Sequence, residues 1–198
     1  MIFKVARAEL HNWEEPVISG KKGSGTVFFC GCSMKCLFCQ NYNISRNVNS
    51  GLDITEDKLI DIFLSLERDG AHNINLVTPS HYAKALARVL EKFKKVSSLP
   101  IVYNTNAYES VENLKMLDGL VDIYLPDLKY VSSKLSFAFS GRADYFEKAM
   151  PAIFEMQRQQ PNDIIENGIM QKGMIVRHLV LPNCTDDSKD VLDRKSVV

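Results

Sequence analysis

Gly23-Ser24-Gly25-Thr26-Val27-Phe28-Phe29-Cys30-Gly31-Cys32-Ser33-Met34-Lys35-Cys36-Leu37-Phe38-Cys39 holds two signals in succession. A glycine-framed turn feeds an apolar run, Thr26 to Cys30, with the character of a strand covered on both faces. The run then empties into a loop carrying three thiols in the spacing C-x3-C-x2-C. Open α/β sheets and barrels build their sites in this way, in loops at the carboxyl ends of strands.

Outward from this stretch the period changes. Past the polar segment ending at Gly51, Leu59, Ile62, Phe63 and Leu66 fall at helical spacing. Glu56 and Asp57 favour the amino-terminal dipole of that helix, and Gly70 closes it. An apolar strand over 73–78 follows, stopped by Pro79, then a helix over 83–96 with Leu86, Val89, Leu90 and Phe93 on one face. Residues 100–105 read as a strand, 111–117 as a short helix, and 121–125 as a strand ended by Pro126. A helix over 144–160 and a strand over 173–181 complete the series. Continuously apolar strands alternating with helices predict parallel strands under helical cover. Residues 1–22, with Pro16 and a basic pair, read as an irregular lead-in, and 23–192 as the domain.

The start of another helix is expected over 188–192. The final Asp193-Arg194-Lys195-Ser196-Val197-Val198 matches what a common sequencing adapter encodes before a stop codon. The expectation is a gene fragment with an artefactual tail at 193–198.

Lys plus Arg is 24 and Asp plus Glu is 24, so the net charge is zero; with no basic stripe, nucleic acid is not an expected partner. No apolar run is long enough to span a bilayer and no secretory signal opens the chain, so a soluble, cytoplasmic protein is expected. Cys30, Cys32, Cys36 and Cys39 crowd together, with Cys184 far away. That is no disulfide framework, and such thiols more often hold a metal.

Three thiolates on an iron–sulfur cubane leave one iron without a protein ligand, free to bind a small molecule. Zinc on Cys30, Cys32, Cys36 and Cys39 would complete a tetrahedron, although Cys30-x-Cys32 is a cramped pair. A four-cysteine electron carrier would need Cys30 or Cys184 as its fourth ligand. Cys30, continuing the strand, suits packing as a small apolar side chain. The spacing favours the open cluster.

The other strand ends offer Thr78-Pro79-Ser80-His81, Asn104-Thr105-Asn106, Asp127-Leu128-Lys129 and Arg177-His178, and all should converge on one face. The bland alternatives are a surface ion pair for Asp127 and Lys129 and a buried carbonyl partner for Arg177. His11, His72 and His178 suit structural roles, His81 has no evident partner, and Met150, Met156 and Met170 suit packing.

The stretch Gly31 to Cys39, including aromatic Phe38 before the third cysteine, resembles the signature of the radical S-adenosylmethionine (SAM) enzymes. Gly23 to Phe29, Tyr124-Leu125-Pro126-Asp127-Leu128-Lys129-Tyr130 and Arg177-His178-Leu179-Val180-Leu181-Pro182 narrow the resemblance to uncharacterised relatives of pyruvate formate-lyase activating enzyme. It runs from about Gly23 to Ser188. The resemblance implies a partial (β/α)6 barrel, here truncated after about five strands. It implies a [4Fe-4S] cluster on Cys32, Cys36 and Cys39 with SAM on the fourth iron, reductively cleaved to a 5′-deoxyadenosyl radical that abstracts hydrogen.

Phe38, Thr78, Ser80, Asn104, Thr105, Asp127, Lys129 and Arg177 are the implied cofactor contacts. Asn104 stands where some activating enzymes carry an Asp that helps bind a monovalent cation. Thr78 to His81 offers hydroxyls but no carboxylate where those enzymes grip the SAM ammonium. The implied partners are a one-electron reductant such as flavodoxin or ferredoxin and a protein substrate. The competing class is a non-catalytic metal-binding module, using the loop for zinc or for plain iron–sulfur electron transfer.

Overall fold

The computed structural model describes residues 1–195. In chain order it contains β1 (Ile2–His11), α1 (Pro16–Ser19), β2 (Ser24–Phe29), α2 (Tyr42–Ser45), β3 (Leu52–Thr55), α3 (Glu56–Arg68), β4 (Ile74–Val77) and α4 (Ala83–Phe93). Then come β5 (Ile101–Thr105), α5 (Val111–Lys115), β6 (Ile123–Pro126), α6 (Ser133–Ser140), α7 (Tyr145–Gln159), β7 (Ile164–Glu166), β8 (Ile169–Met174) and α8 (Thr185–Lys195).

One mixed sheet runs in the order β3-β1-β2-β4-β5-β6-β8-β7. Its centre, β2-β4-β5-β6-β8, is parallel, as the apolar strands and intervening helices required. Antiparallel strands flank it, β1 and β3 on one side and β7 on the other. The barrel is not closed.

Alternation along each strand divides the residues between two faces. On the outer face, Tyr103 and Tyr124 join the main core with Leu59, Phe63 and Leu66 of α3 and Leu86, Val89 and Phe93 of α4. On the inner face, Val102, Ile123 and Leu125 pack around Ile18 of α1 and Met170 of β8. Further along the same strands, the inner positions become Asn104 and Asp127. The inner face is thus apolar at its base and polar at its carboxyl end.

Two expectations are corrected. Residues 1–22 are not an irregular lead-in, because β1 pairs with both β2 and β3, and Phe3 and Val5 are buried. Its outer half, around Arg7 and Glu9, is exposed and polar, and this hid the period-2 signal. The last central strand begins at Ile169 rather than 173. An Asn167-Gly168 turn, both residues at positive φ, folds β7 onto it as a hairpin. Its ladder with β6 covers Gly173 and Met174 and resumes at an isolated bridge between Asp127 and Arg177. Helix α8 takes in 193–195 of the expected tail, and the rest, 196–198, lies outside the described residues.

Candidate functional site

A cavity of about 540 Å³ opens at the carboxyl end of the parallel strands. Cys32, Cys36, Phe38 and Cys39 line it from the loop after β2, Thr78 from beyond β4, Asn104 and Thr105 from β5, Asp127 and Lys129 from beyond β6, and Arg177 from beyond β8. The strand ends converge here as expected, Ser80 and His81 excepted.

The loop is held from both sides. Gly31 N–H donates to the Ile44 carbonyl at 2.9 Å, and Lys35 N–H and Leu37 N–H donate to Ser140 and Phe139 carbonyls at the end of α6. Arg142 sends Nε and Nη2 to the Ser33 carbonyl at 3.0 and 2.7 Å, and Met34 is buried as an apolar anchor. α6 itself was not expected from the sequence; Ser132 caps it and Gly141, in the left-handed conformation, ends it.

Each of the three sulfurs has a hydrogen-bonding neighbour. Asn106 Nδ2 donates to Cys32 Sγ at 3.2 Å, Ser140 Oγ donates to Cys36 Sγ at 3.0 Å, and Ser45 Oγ lies 3.3 Å from Cys39 Sγ. Burial pushes the Cys32 thiol up, and the nearby Cys36 and Cys39 add to this against the Met34 and Asn106 donors. Among the described residues no three Cys, His, Asp or Glu side chains converge to hold a single metal ion. The donor set is soft sulfur with hydrogen bonds behind it, which suits a thiolate-held iron–sulfur group. Cys30 is buried, 3.5 Å from Ser50 Oγ, and does not line the cavity.

Opposite the thiols lies a charge network. Asp127 accepts from Lys129 Nζ at 2.7 Å and from Arg177 Nε at 3.1 Å. Burial pushes the Asp127 carboxyl up, but Lys129 and Arg177 outweigh it and hold the group below the usual carboxylate range. Arg177 also donates Nη2 to Asn104 Oδ1 at 2.6 Å and Nη1 to Glu14 Oε2 at 3.1 Å. Burial alone would lower its basicity, yet Asp127, Glu14 and Glu15 raise it. Asp127 and Lys129 are therefore no surface pair, and the Arg177 side chain serves carboxylates and an amide rather than a buried carbonyl. Lys129 Nζ also stands 5.9 Å from the centre of the Phe38 ring.

Thr78 reaches the cavity in a left-handed conformation, φ +60, unusual for a β-branched residue. Ser80 does not reach it. Ser80 lines a smaller neighbouring cavity with His81, Tyr108 and Glu109, and its hydroxyl donates to Glu109. His178 has both ring nitrogens engaged, with the Leu128 carbonyl and Ser188 Oγ, a structural role although the ring borders the cavity. His11 borders it too, edge-on to Phe28.

Trp13 and Glu14, from the stretch taken as a lead-in, also line the cavity. The local signal was present, an acidic pair before Pro16 at the start of a helix, but nothing in the sequence shows where it packs.

An open α/β sheet with a three-cysteine loop at its carboxyl end defines the class. The comparisons define the family: the Radical SAM superfamily model matches residues 26–193, and the chain belongs to that superfamily. An uncharacterized protein of Methanocaldococcus jannaschii is 31% identical over 199 aligned residues, covering 93% of this chain and 53% of that protein. The chain thus spans about half the length of the curated relative it matches. Among the described residues no helix is long and apolar enough to cross a membrane.

Proposed function

We propose that the protein is a radical SAM enzyme of the activating-enzyme type, with Cys32, Cys36 and Cys39 holding a [4Fe-4S] cluster that leaves one iron open for SAM. The observation that carries this is the single cavity shared by those thiols and by the charged ends of the facing strands. When bound, cluster and cofactor supply one-electron cleavage of the sulfonium C–S bond to methionine and a carbon radical able to take hydrogen from a substrate.

The chain's own residues bind and orient. Asn106 and Ser140 direct hydrogen bonds at Cys32 and Cys36, tuning the sulfurs they face. Lys129 and Arg177 offer cations to the cofactor's carboxylate, and Asp127 holds both in place. Phe38, half-buried between Tyr130 and the cavity, supplies an apolar wall. A one-electron donor such as a flavodoxin or ferredoxin would supply the electron, and a protein the hydrogen. All five cysteines are free thiols, which suits a reducing compartment such as the cytoplasm.

Electron paramagnetic resonance on the anaerobically reconstituted, reduced protein tests the reading. A reduced [4Fe-4S] signal that changes on adding SAM is expected. A cluster signal indifferent to SAM would point to plain electron transfer, and stoichiometric zinc without iron would end the radical reading.

A further inference from the structure

Two carboxylates line the cavity opposite the cysteines, and they are not equivalent. Asp127 is balanced on both oxygens, by Lys129 at 2.7 Å and Arg177 at 3.1 Å. Glu14 has one cation, Arg177 on Oε2 at 3.1 Å, while its Oε1 faces the neutral Asn104 amide at 3.1 Å. Its side chain is 11% exposed. Burial pushes the Glu14 carboxyl up; Arg177 opposes this and Glu15 reinforces it. Asn75, wholly buried, lies beside it and, with His11, also opposes the upward push. Glu14 thus has one close ion pair where Asp127 has two.

The segment that presents Glu14 is fixed from below. Ile18 of α1 is buried against Val102, Ile123 and Leu125, the Ile18 carbonyl accepts from Asn73 Nδ2 at 2.8 Å, and Glu14 N–H donates to Ser19 Oγ at 3.0 Å. The carboxylate is thus held on the inner face before any ligand arrives, and little reorganisation is needed to use it.

We propose that Glu14 is a cofactor-contacting residue that receives the ammonium group of the amino-acid part of SAM. This rests on reading the cavity as a SAM site. SAM carries two cationic centres, and only the ammonium can donate N–H hydrogen bonds; a sulfonium has none to give. A preformed, undercompensated carboxylate with a neutral amide on one oxygen matches a donor that is both charged and hydrogen-bonding. Asp127, already balanced, is left to orient Lys129 and Arg177.

The test is calorimetric binding to the cluster-free protein, so that no iron contributes, using S-adenosylhomocysteine and its analogue lacking the α-amino group. The wild type should prefer the amino ligand by about tenfold or more. Glu14→Gln should lose most of that preference while binding the deaminated ligand as the wild type does, and Glu14→Asp should recover part of it. Circular dichroism shows whether each variant is folded. An unchanged preference in folded Glu14→Gln, or equal weakening of both ligands, overturns the role of Glu14. A wild type that binds neither ligand without the cluster overturns Glu14 as a preformed ammonium site, whereas a reduced cluster signal indifferent to SAM overturns the SAM reading of the cavity and this inference with it.

Discussion

The two faces of the parallel sheet are built from the same strands and serve opposite ends. On the outer face, Phe63 and Phe93 are fully buried with ring centres 5.3 Å apart at 79°, and the surrounding side chains are apolar. On the inner face, beyond Ile18, the strands end in amides, carboxylates and cations that are partly compensated by one another. The outer face contributes free energy by removing apolar area from water. The inner face, at its carboxyl end, gives part of that back in desolvated charge. Stability and ligand chemistry are thereby separated by alternate residues of one strand, as with Tyr103 facing out and Asn104 facing in.

This contrast can be broken by substitutions on either side. The largest effect is expected at the loop. Cys36→Ala should reduce bound iron and sulfide per chain to near zero while changing unfolding free energy by less than about 1 kcal/mol. Cys30→Ala should retain the iron, and a Cys36→Ala protein with full iron content would refute the ligand set. On the outer face, Phe63→Ala should cost about 3–5 kcal/mol by denaturant unfolding, with normal iron content in whatever remains folded.

A smaller change is expected from Asp127→Asn, which leaves Lys129 and Arg177 without their shared carboxylate. SAM affinity should fall about tenfold in a binding titration, with near-wild-type iron content. Thr78→Gly should sharpen the comparison from the other direction. Relief of the left-handed backbone, about 1–2 kcal/mol for an ordinary residue, exceeds the added chain entropy of glycine, so a net gain of less than about 1 kcal/mol is expected by thermal unfolding.

The subtlest effect concerns Glu109, buried beneath the smaller cavity. Burial pushes its carboxyl above the usual carboxylate range, against hydrogen bonds from Ser80, Thr105 and Tyr103. A folded value above the unfolded one means its contribution is fully present below the ordinary carboxylate value and is lost as pH rises through the folded value. Unfolding free energies across that window should therefore show the wild type declining relative to Glu109→Gln as pH increases. A parallel pH dependence in the two proteins would exclude the shift.

Helices α3 and α4 were legible because their apolar residues recur at a fixed period and their ends carry charge or glycine signals. β1 was not, because only Phe3 and Val5 of its length are buried and its polar half looks like loop. The hairpin of β7 and β8 had a local signal, Asn167-Gly168, yet the apolar residues after Gly173 drew the expected strand too far along. They instead leave the ladder toward Arg177, where a single bridge to Asp127 survives. The cysteines were legible because their spacing is local. Ser80 was misplaced for a related reason: sequence proximity to Thr78 suggested a shared cavity, but the 3-10 turn at Ser80–Tyr82 rotates its hydroxyl toward Glu109.

By itself the sequence determined the parallel apolar strands, their helical cover and the thiol loop at the strand ends, because each is written in periodicity or spacing over a few residues. Only the tertiary structure decided which side chains share the cavity, admitting Glu14 and excluding Ser80. Those choices depend on how Ile18 seats against the inner face and how a turn rotates after β4, and such contacts join residues far apart in the chain.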